Sequence, residues 1–245
     1  MDALKFDTRR AVAIVAIGLL LSLLLIWFAG MFAPVQVGSA IAVYSFAVVP
    51  VLRGLDAHRP HTRFGVANWI TLVRAGSVAL LAGALAAPVA APLVWIACVV
   101  GFVGLIGDGI DGWAARRSGL ASRFGARFDM EVDAFLILVL CALLVRIDKL
   151  GAWILTAGAL RYVFVAAGAL LPALRAELPP SARRRAICAI QTATLAAALA
   201  PPIAGPAAAA IAGAGLVAVI YSFAADVIWL IRIAQSPGKD SCVPT

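Results

Sequence analysis

Eight apolar runs divide this chain, and their length leaves few folds open to it. They cover residues 11–33, 36–52, 68–87, 92–114, 125–146, 150–172, 185–204 and 207–233. About 20 helical residues cross the hydrocarbon of a bilayer. Inside it, only helices and closed barrels satisfy their own backbone polar groups. No strand-like alternation persists in the sequence, and short breaks rich in Pro and Gly separate the runs, at Ala33-Pro34, Ala87-Pro88, Pro179-Pro180 and Gly205-Pro206. The expected fold is an all-α polytopic membrane protein. Composition agrees, with 64% hydrophobic and 13% charged residues and a mean hydropathy of +1.03, which excludes a water-soluble domain of this size.

A net charge of +8 would suit nucleic acid, but the basic residues gather at the ends of apolar runs rather than on one polar face. That is the distribution expected for helix ends at an anionic leaflet, with membrane lipids and not nucleic acid as the partner. Lys5, Arg9 and Arg10 precede the first run, and Arg53, Arg59 and Arg63 follow the second. Arg116, Arg117, Arg123 and Arg127 follow the fourth, and Arg175 and Arg183 to Arg185 follow the sixth. The alternate connectors hold only Arg146 and Lys149. Eight spans with both termini in the cytoplasm follow from this asymmetry. A cleaved signal peptide ending near Ala33 would leave seven spans and break the alternation. The basic stretch 53–67 is expected at the headgroup layer, and its His58 and His61 receive no chemical role. Cys98, Cys141, Cys188 and Cys242 form no CxxC pair and read as small apolar side chains.

The stretch 107–134, GDGIDGWAARRSGLASRFGARFDMEVDA, is the exception to this apolar economy, since it gathers five of the 12 acidic residues. Asp108 and Asp111 stand at i and i+3 near the end of the fourth run. Asp129 and Asp133 stand at i and i+4 near the start of the fifth. Each spacing puts both side chains on one helix face. A short basic connector turns the chain, so the two helices are expected antiparallel with all four carboxylates at one depth. Four converging carboxylates stay ionised only beside cations. Oxygen-only ligands favour Mg²⁺, with Mn²⁺ as the second choice, and such a site suits phosphate chemistry. The plainer alternative is that the acids balance the nearby arginines at solvated helix ends.

The pattern Asp108-x2-Asp111-Gly112-x2-Ala115-Arg116-x8-Gly125-x3-Asp129-x3-Asp133 resembles the signature of the CDP-alcohol phosphatidyltransferases, position for position. Upstream, Asn68-x2-Thr71-x2-Arg74 is similar to the family's shorter motif at the start of its first core helix. The resemblance implies a six-helix catalytic domain over 60–233, preceded by a two-helix membrane extension with a juxtamembrane segment over 1–59 and followed by a cytoplasmic tail over 234–245. It implies transfer of a phosphatidyl group from CDP-diacylglycerol to an alcohol acceptor, with release of CMP. A subset of the family instead moves a headgroup phosphate from a CDP-alcohol to diacylglycerol. An alternative from another class is a divalent-cation transporter using the same carboxylates.

Carried over residue by residue, the resemblance makes Asp108, Asp111, Asp129 and Asp133 ligands of two Mg²⁺ or Mn²⁺ ions. Asp133 is also the general base on the acceptor hydroxyl. Asn68, Thr71, Gly112, Ala115, Arg116, Ser122 and Gly125 are implied around the nucleotide of the donor. Without any such role, Asn68 would cap its helix and Thr71 would bond its own backbone. Arg74 and Arg161 are the acceptor-side candidates, although Arg161 lies about 18 Å from its helix end at ~1.5 Å rise per residue, where a structural pairing competes. Arg175 and Arg183 to Arg185 would attract a phosphate-bearing acceptor such as glycerol 3-phosphate or an inositol phosphate, and equally serve topology. Ala134 stands where many users of such acceptors carry a base. Glu131 falls on a different face from Asp129 and Asp133, and Asp226 is expected to pair with a basic group. The expected location is a bacterial inner membrane with the site at its cytoplasmic face, and a homodimer is compatible with it.

Overall fold

The computed structural model describes residues 3–58, 61–118, 120, 122–174, 176, 178–179 and 181–235, with the side chains at 108, 111–116, 118 and 172 outside the described set. All regular structure among these residues is helical: α1 (Ala3–Phe28), α2 (Pro34–Arg53), α3 (Val66–Ala84), α4 (Ala91–Ser118), α5 (Arg123–Arg146), α6 (Leu155–Leu170), α7 (Ala182–Leu199) and α8 (Gly205–Gln235), with short 3₁₀ turns at Gly54–His58, Ala152–Ile154 and Pro172–Leu174. Each expected run is a helix, and the boundaries shift where polar residues join it. The first helix begins at Ala3 because Lys5, Arg9 and Arg10 continue its turns, long cationic side chains being good helix formers. It stops at Phe28, and Gly30 turns the chain at a φ of 70°.

Among the described residues, five segments are long and apolar enough to cross a membrane: those built on α1, α2, α3, α6 and α8. α4 carries the motif acids Asp108 and Asp111 in its last turns. α5 and α7 likewise carry charges in their first turns, Asp129, Glu131 and Asp133 in one and Arg183 to Arg185 in the other. These helices therefore each have a polar end, and the first turns of α5 are where the site sits. Large apolar side chains face outward along the bundle: Phe28 is 79% exposed and Leu170 80%. Contiguous apolar surface of this extent belongs in lipid, and the protein is an integral membrane protein.

α3 is the central helix. It packs against α1 and α2 on one side and α4 and α5 on the other, and most of its apolar window is buried. α7 closes the bundle against α4, α5 and α8. In lipid, where apolar burial no longer separates one helix from another, close packing of small residues holds helices together. Gly83 of α3 lies against Ala40 and the Gln36 carbonyl of α2, Gly101 of α4 against Ala196 of α7, and Gly158 of α6 against Leu138 of α5. Gln36 adds a buried polar tie: its amide donates to the Ala84 carbonyl at 3.0 Å and its oxygen accepts from Ala33 N–H at 2.9 Å. Gly65, at a φ of 84° just before α3, sets the direction in which that helix enters the bundle.

The tightest of these contacts gives a test. A Cβ on Gly158 would stand 2.6 Å from the Leu138 Cα, whereas one on Gly213 would meet nothing within 4 Å. Gly158→Leu is expected to destabilise the detergent-solubilised protein by about 1–3 kcal/mol through overpacking, seen as a lower melting temperature. Gly213→Ala should leave it unchanged.

Candidate active site

The site is built where the first turns of α5 meet α3. α5 starts just after Ser122, an N-cap with extended backbone (φ −143°, ψ 158°), whose hydroxyl oxygen accepts the Gly125 N–H at 3.1 Å and so caps the helix. From that start, Asp129 and Asp133 project on one face one turn apart. Across from them, Arg74 of α3 extends its guanidinium between the two carboxylates. Nη1 donates to Asp129 Oδ1 at 2.8 Å and Nη2 donates to Asp133 Oδ1. The Arg74 side chain is 7% exposed, against 29% for Asp129 and 17% for Asp133. Such a pair is expensive to desolvate and strongly destabilising to break from one side. Room for it comes from Gly107 of α4, where a Cβ would stand 3.0 Å from the Arg74 Cδ.

A second group forms one to two turns earlier along the same helix contact. Asn68 of α3 is buried and donates to the Phe64 carbonyl at 2.5 Å. Its Oδ1 faces Gly125 so closely that a Cβ there would stand 2.8 Å away. Gly125 is thus the residue that lets α5 approach α3. Thr71, also buried, donates to the Ala67 carbonyl at 3.1 Å, the back-bonding expected of a hydroxyl inside a helix. Asn68 does not cap its helix, because the helix begins at Val66, after Gly65.

The structure therefore gathers Asn68, Ser122 and Gly125 in one group and Arg74, Asp129 and Asp133 in another. Asp108, Asp111, Gly112, Ala115 and Arg116 lie on the last turns of α4, and the side chains of these five fall outside the described residues. Among the described residues, no group of three or more His, Cys, Asp and Glu converges. Asp129 and Asp133 nonetheless form an oxygen-only pair that shares one cationic group, which fits a hard divalent ion. Beside Asp133 lies a cleft of about 10 Å³, room for roughly one water, lined by Arg74, Leu105, Asp133, Cys188, Ala189 and Thr192.

Arg161 stands elsewhere. From α6 it donates to Met130 Sδ at 3.0 Å and pairs with Glu131, on the face of α5 turned away from Asp129 and Asp133. Arg183 and Arg184, at the start of α7, are both taken up by Asp226 of α8, and Arg183 also lies 5.9 Å from the Tyr221 ring centre. Arg175 lies outside the described residues.

Two contributors had no assigned role in the sequence. Gly107 makes space for Arg74, and its only signal was a small residue next to Asp108. His58 is the other. It is fully buried, with Nδ1 2.7 Å from Ser122 Oγ and Nε2 2.9 Å from the Arg63 carbonyl. Its basic, Pro-broken surroundings gave no hint of burial.

Comparison with known proteins adds one finding. Neither a curated protein nor a solved structure matches the chain. The family model described as CDP-alcohol phosphatidyltransferase matches residues 64–225, from Phe64 through Asp226's neighbour Ala225, and so takes in both groups of site residues and every helix from α3 to most of α8. With about two thirds of its length matched, the chain belongs to the CDP-alcohol phosphatidyltransferase family.

Proposed function

We propose that the protein transfers a phosphatidyl group from CDP-diacylglycerol to the hydroxyl of a small alcohol, releasing CMP. Family membership makes it a transferase of membrane lipid synthesis and sets aside the transporter reading. The choice of donor and the residue roles are this proposal. The observation that carries it is the pair Asp129 and Asp133, held side by side on α5 around one cation at the polar end of a membrane bundle. That is the local chemistry a diphosphate donor and an alcohol need.

Asp133 accepts the proton of the acceptor hydroxyl. The oxygen then forms a bond to the lipid-side phosphorus of the donor as the bond from that phosphorus to the bridging oxygen breaks, and CMP leaves with the electron pair. A carboxylate is a weak base for an alcohol, so its value lies in being fixed at the reacting oxygen as charge develops. Asp108, Asp111, Asp129 and Asp133 would hold Mg²⁺ or Mn²⁺, whose charge offsets that of the diphosphate. Asn68, Thr71, Gly112, Ala115, Arg116, Ser122 and Gly125 surround the cytidine nucleotide, small residues admitting it close to the helix backbone. Arg74 sits on the same two carboxylates that would take a divalent ion, and it is the built-in countercharge of the pair. The site opens at the cytoplasmic face of the membrane, where CDP-linked lipids and soluble alcohols meet. Phosphate-bearing acceptors such as glycerol 3-phosphate or an inositol phosphate suit the basic start of α7, where Arg183 and Arg184 would be shared with Asp226.

Purified protein given labelled CDP-diacylglycerol, Mg²⁺ or Mn²⁺ and a panel of alcohols is expected to release CMP with at least one acceptor. Folded protein that releases none with any of them would refute the transferase assignment. Asp133→Asn should abolish turnover while CMP still protects the protein against thermal unfolding; turnover near the wild-type rate would remove Asp133 as the base. A second test concerns countercharge. In chelator, Arg74→Ala should cost about 1–3 kcal/mol, less than a fully buried pair because both acids are part-exposed. Adding Asp133→Asn to that variant should raise its melting temperature again.

A further inference from the structure

We infer that His58 is a positioning residue of this site, holding the Ser122 hydroxyl as a hydrogen-bond acceptor at the start of α5 and so tying the N-terminal extension to the helix that carries Asp129 and Asp133. The inference rests on the transferase reading for its functional consequence, and on bond geometry for the rest.

The proton positions follow from the partners. The Arg63 carbonyl only accepts, so the proton of the ring lies on Nε2, 2.9 Å away. His58 is fully buried and its two hydrogen bonds go to a carbonyl and a hydroxyl, surroundings that favour the neutral ring. Nδ1 is then a lone pair, and Ser122 must donate its single proton to it across 2.7 Å. The same Ser122 oxygen accepts the Gly125 N–H. Its proton is spent and one lone pair remains. A ligand meeting Ser122 must therefore present a donor, such as a ribose hydroxyl or the amino group of cytosine.

The His58 ring is also fixed from its sides. Phe124, two residues into α5 from Ser122, meets it edge-on with centroids 5.7 Å apart, and His61 lies 5.0 Å away. Phe64 and Phe128 continue the aromatic contact with Phe124. A second tie runs parallel to it: the Asp7 carboxylate of α1 accepts the Phe64 N–H at 2.9 Å. His58 closes the 3₁₀ turn that follows α2, so its imidazole links the extension to the cap of α5.

The test compares His58→Ala, His58→Asn, His58→Gln and Ser122→Ala for the KM of the CDP-linked donor, kcat and melting temperature. His58→Ala should raise donor KM about three- to tenfold, the loss of one hydrogen bond, with kcat within about twofold. His58→Asn, whose amide oxygen stands near the Nδ1 position, should restore most of that KM, and His58→Gln should not. In the Ser122→Ala background, His58→Ala should add nothing. Independent effects of the two substitutions, or KM values that simply follow melting temperature, would overturn the inference. The chain has 2 histidines, so ¹⁵N-histidine NMR of the intact protein gives a reading free of turnover. His58 should show a protonated Nε2 and a bare Nδ1 whose resonance moves in Ser122→Ala, and a protonated Nδ1 would overturn the inference. A wild-type protein that releases no CMP, yet shows this NMR signature, would refute the transferase reading and leave the His58–Ser122 bond standing.

Discussion

The guanidinium of Arg74, forked between Asp129 and Asp133, is the interaction on which the arrangement of this bundle turns. Two carboxylates on adjacent turns of one helix repel each other, and a largely apolar bundle offers little water to screen them. Placing one cation between them makes the acidic face of α5 compatible with burial against α3. The same requirement explains several neighbours. Gly107 is bare so that the arginine stem can pass, and Gly125 is bare so that α5 can come close enough to be reached. Ser122 caps α5 at the position that puts both acids on the α3 side.

The remainder of the molecule supplies depth and rigidity rather than chemistry. Helices α1, α6 and α8 present long apolar faces to lipid, while α3, α5 and α7 make the interior. Small residues at the crossings let backbones approach, and buried Gln36 bonds across from α2 to α3. Arg183 and Arg184 are held by Asp226, so the basic start of α7 is anchored to α8 instead of hanging free. A groove of about 310 Å³ between α1 and α2, lined by Val12, Leu19, Ile41 and Tyr44 among others, is apolar and belongs to the lipid-facing side.

Much of this was legible before any coordinates. Long apolar runs must be helices in a bilayer, so eight elements and their order followed from hydropathy alone. The i,i+4 spacing of Asp129 and Asp133 gave their shared face, because helical periodicity turns spacing directly into a shared side. What stayed hidden were relations between distant segments. Arg74 belonged to a motif, yet nothing local says that its side chain ends on Asp129 and Asp133 rather than at an acceptor. Arg161 signalled a partner by its depth, but Glu131 could be named only once α6 was seen against the back of α5. His58 was the least legible, since a histidine among arginines near Pro60 reads as solvated, and the partners that meet it, Ser122 and Phe124 at the start of α5 and the Arg63 carbonyl, come together only in the fold.

The pairing of Glu131 with Arg161 has a mechanical consequence. Asp129 and Asp133 leave α5 on one side and Glu131 leaves it on the other, and each side is gripped by an arginine from a different helix. Any twist of α5 about its own axis displaces both grips at once. The helix is thus pinned against rotation in both senses, like an axle keyed at opposite points. Whatever adjustment accompanies the coming and going of a lipid donor must then be made by the elements around α5, with the carboxylate pair as the fixed point from which their movement is measured.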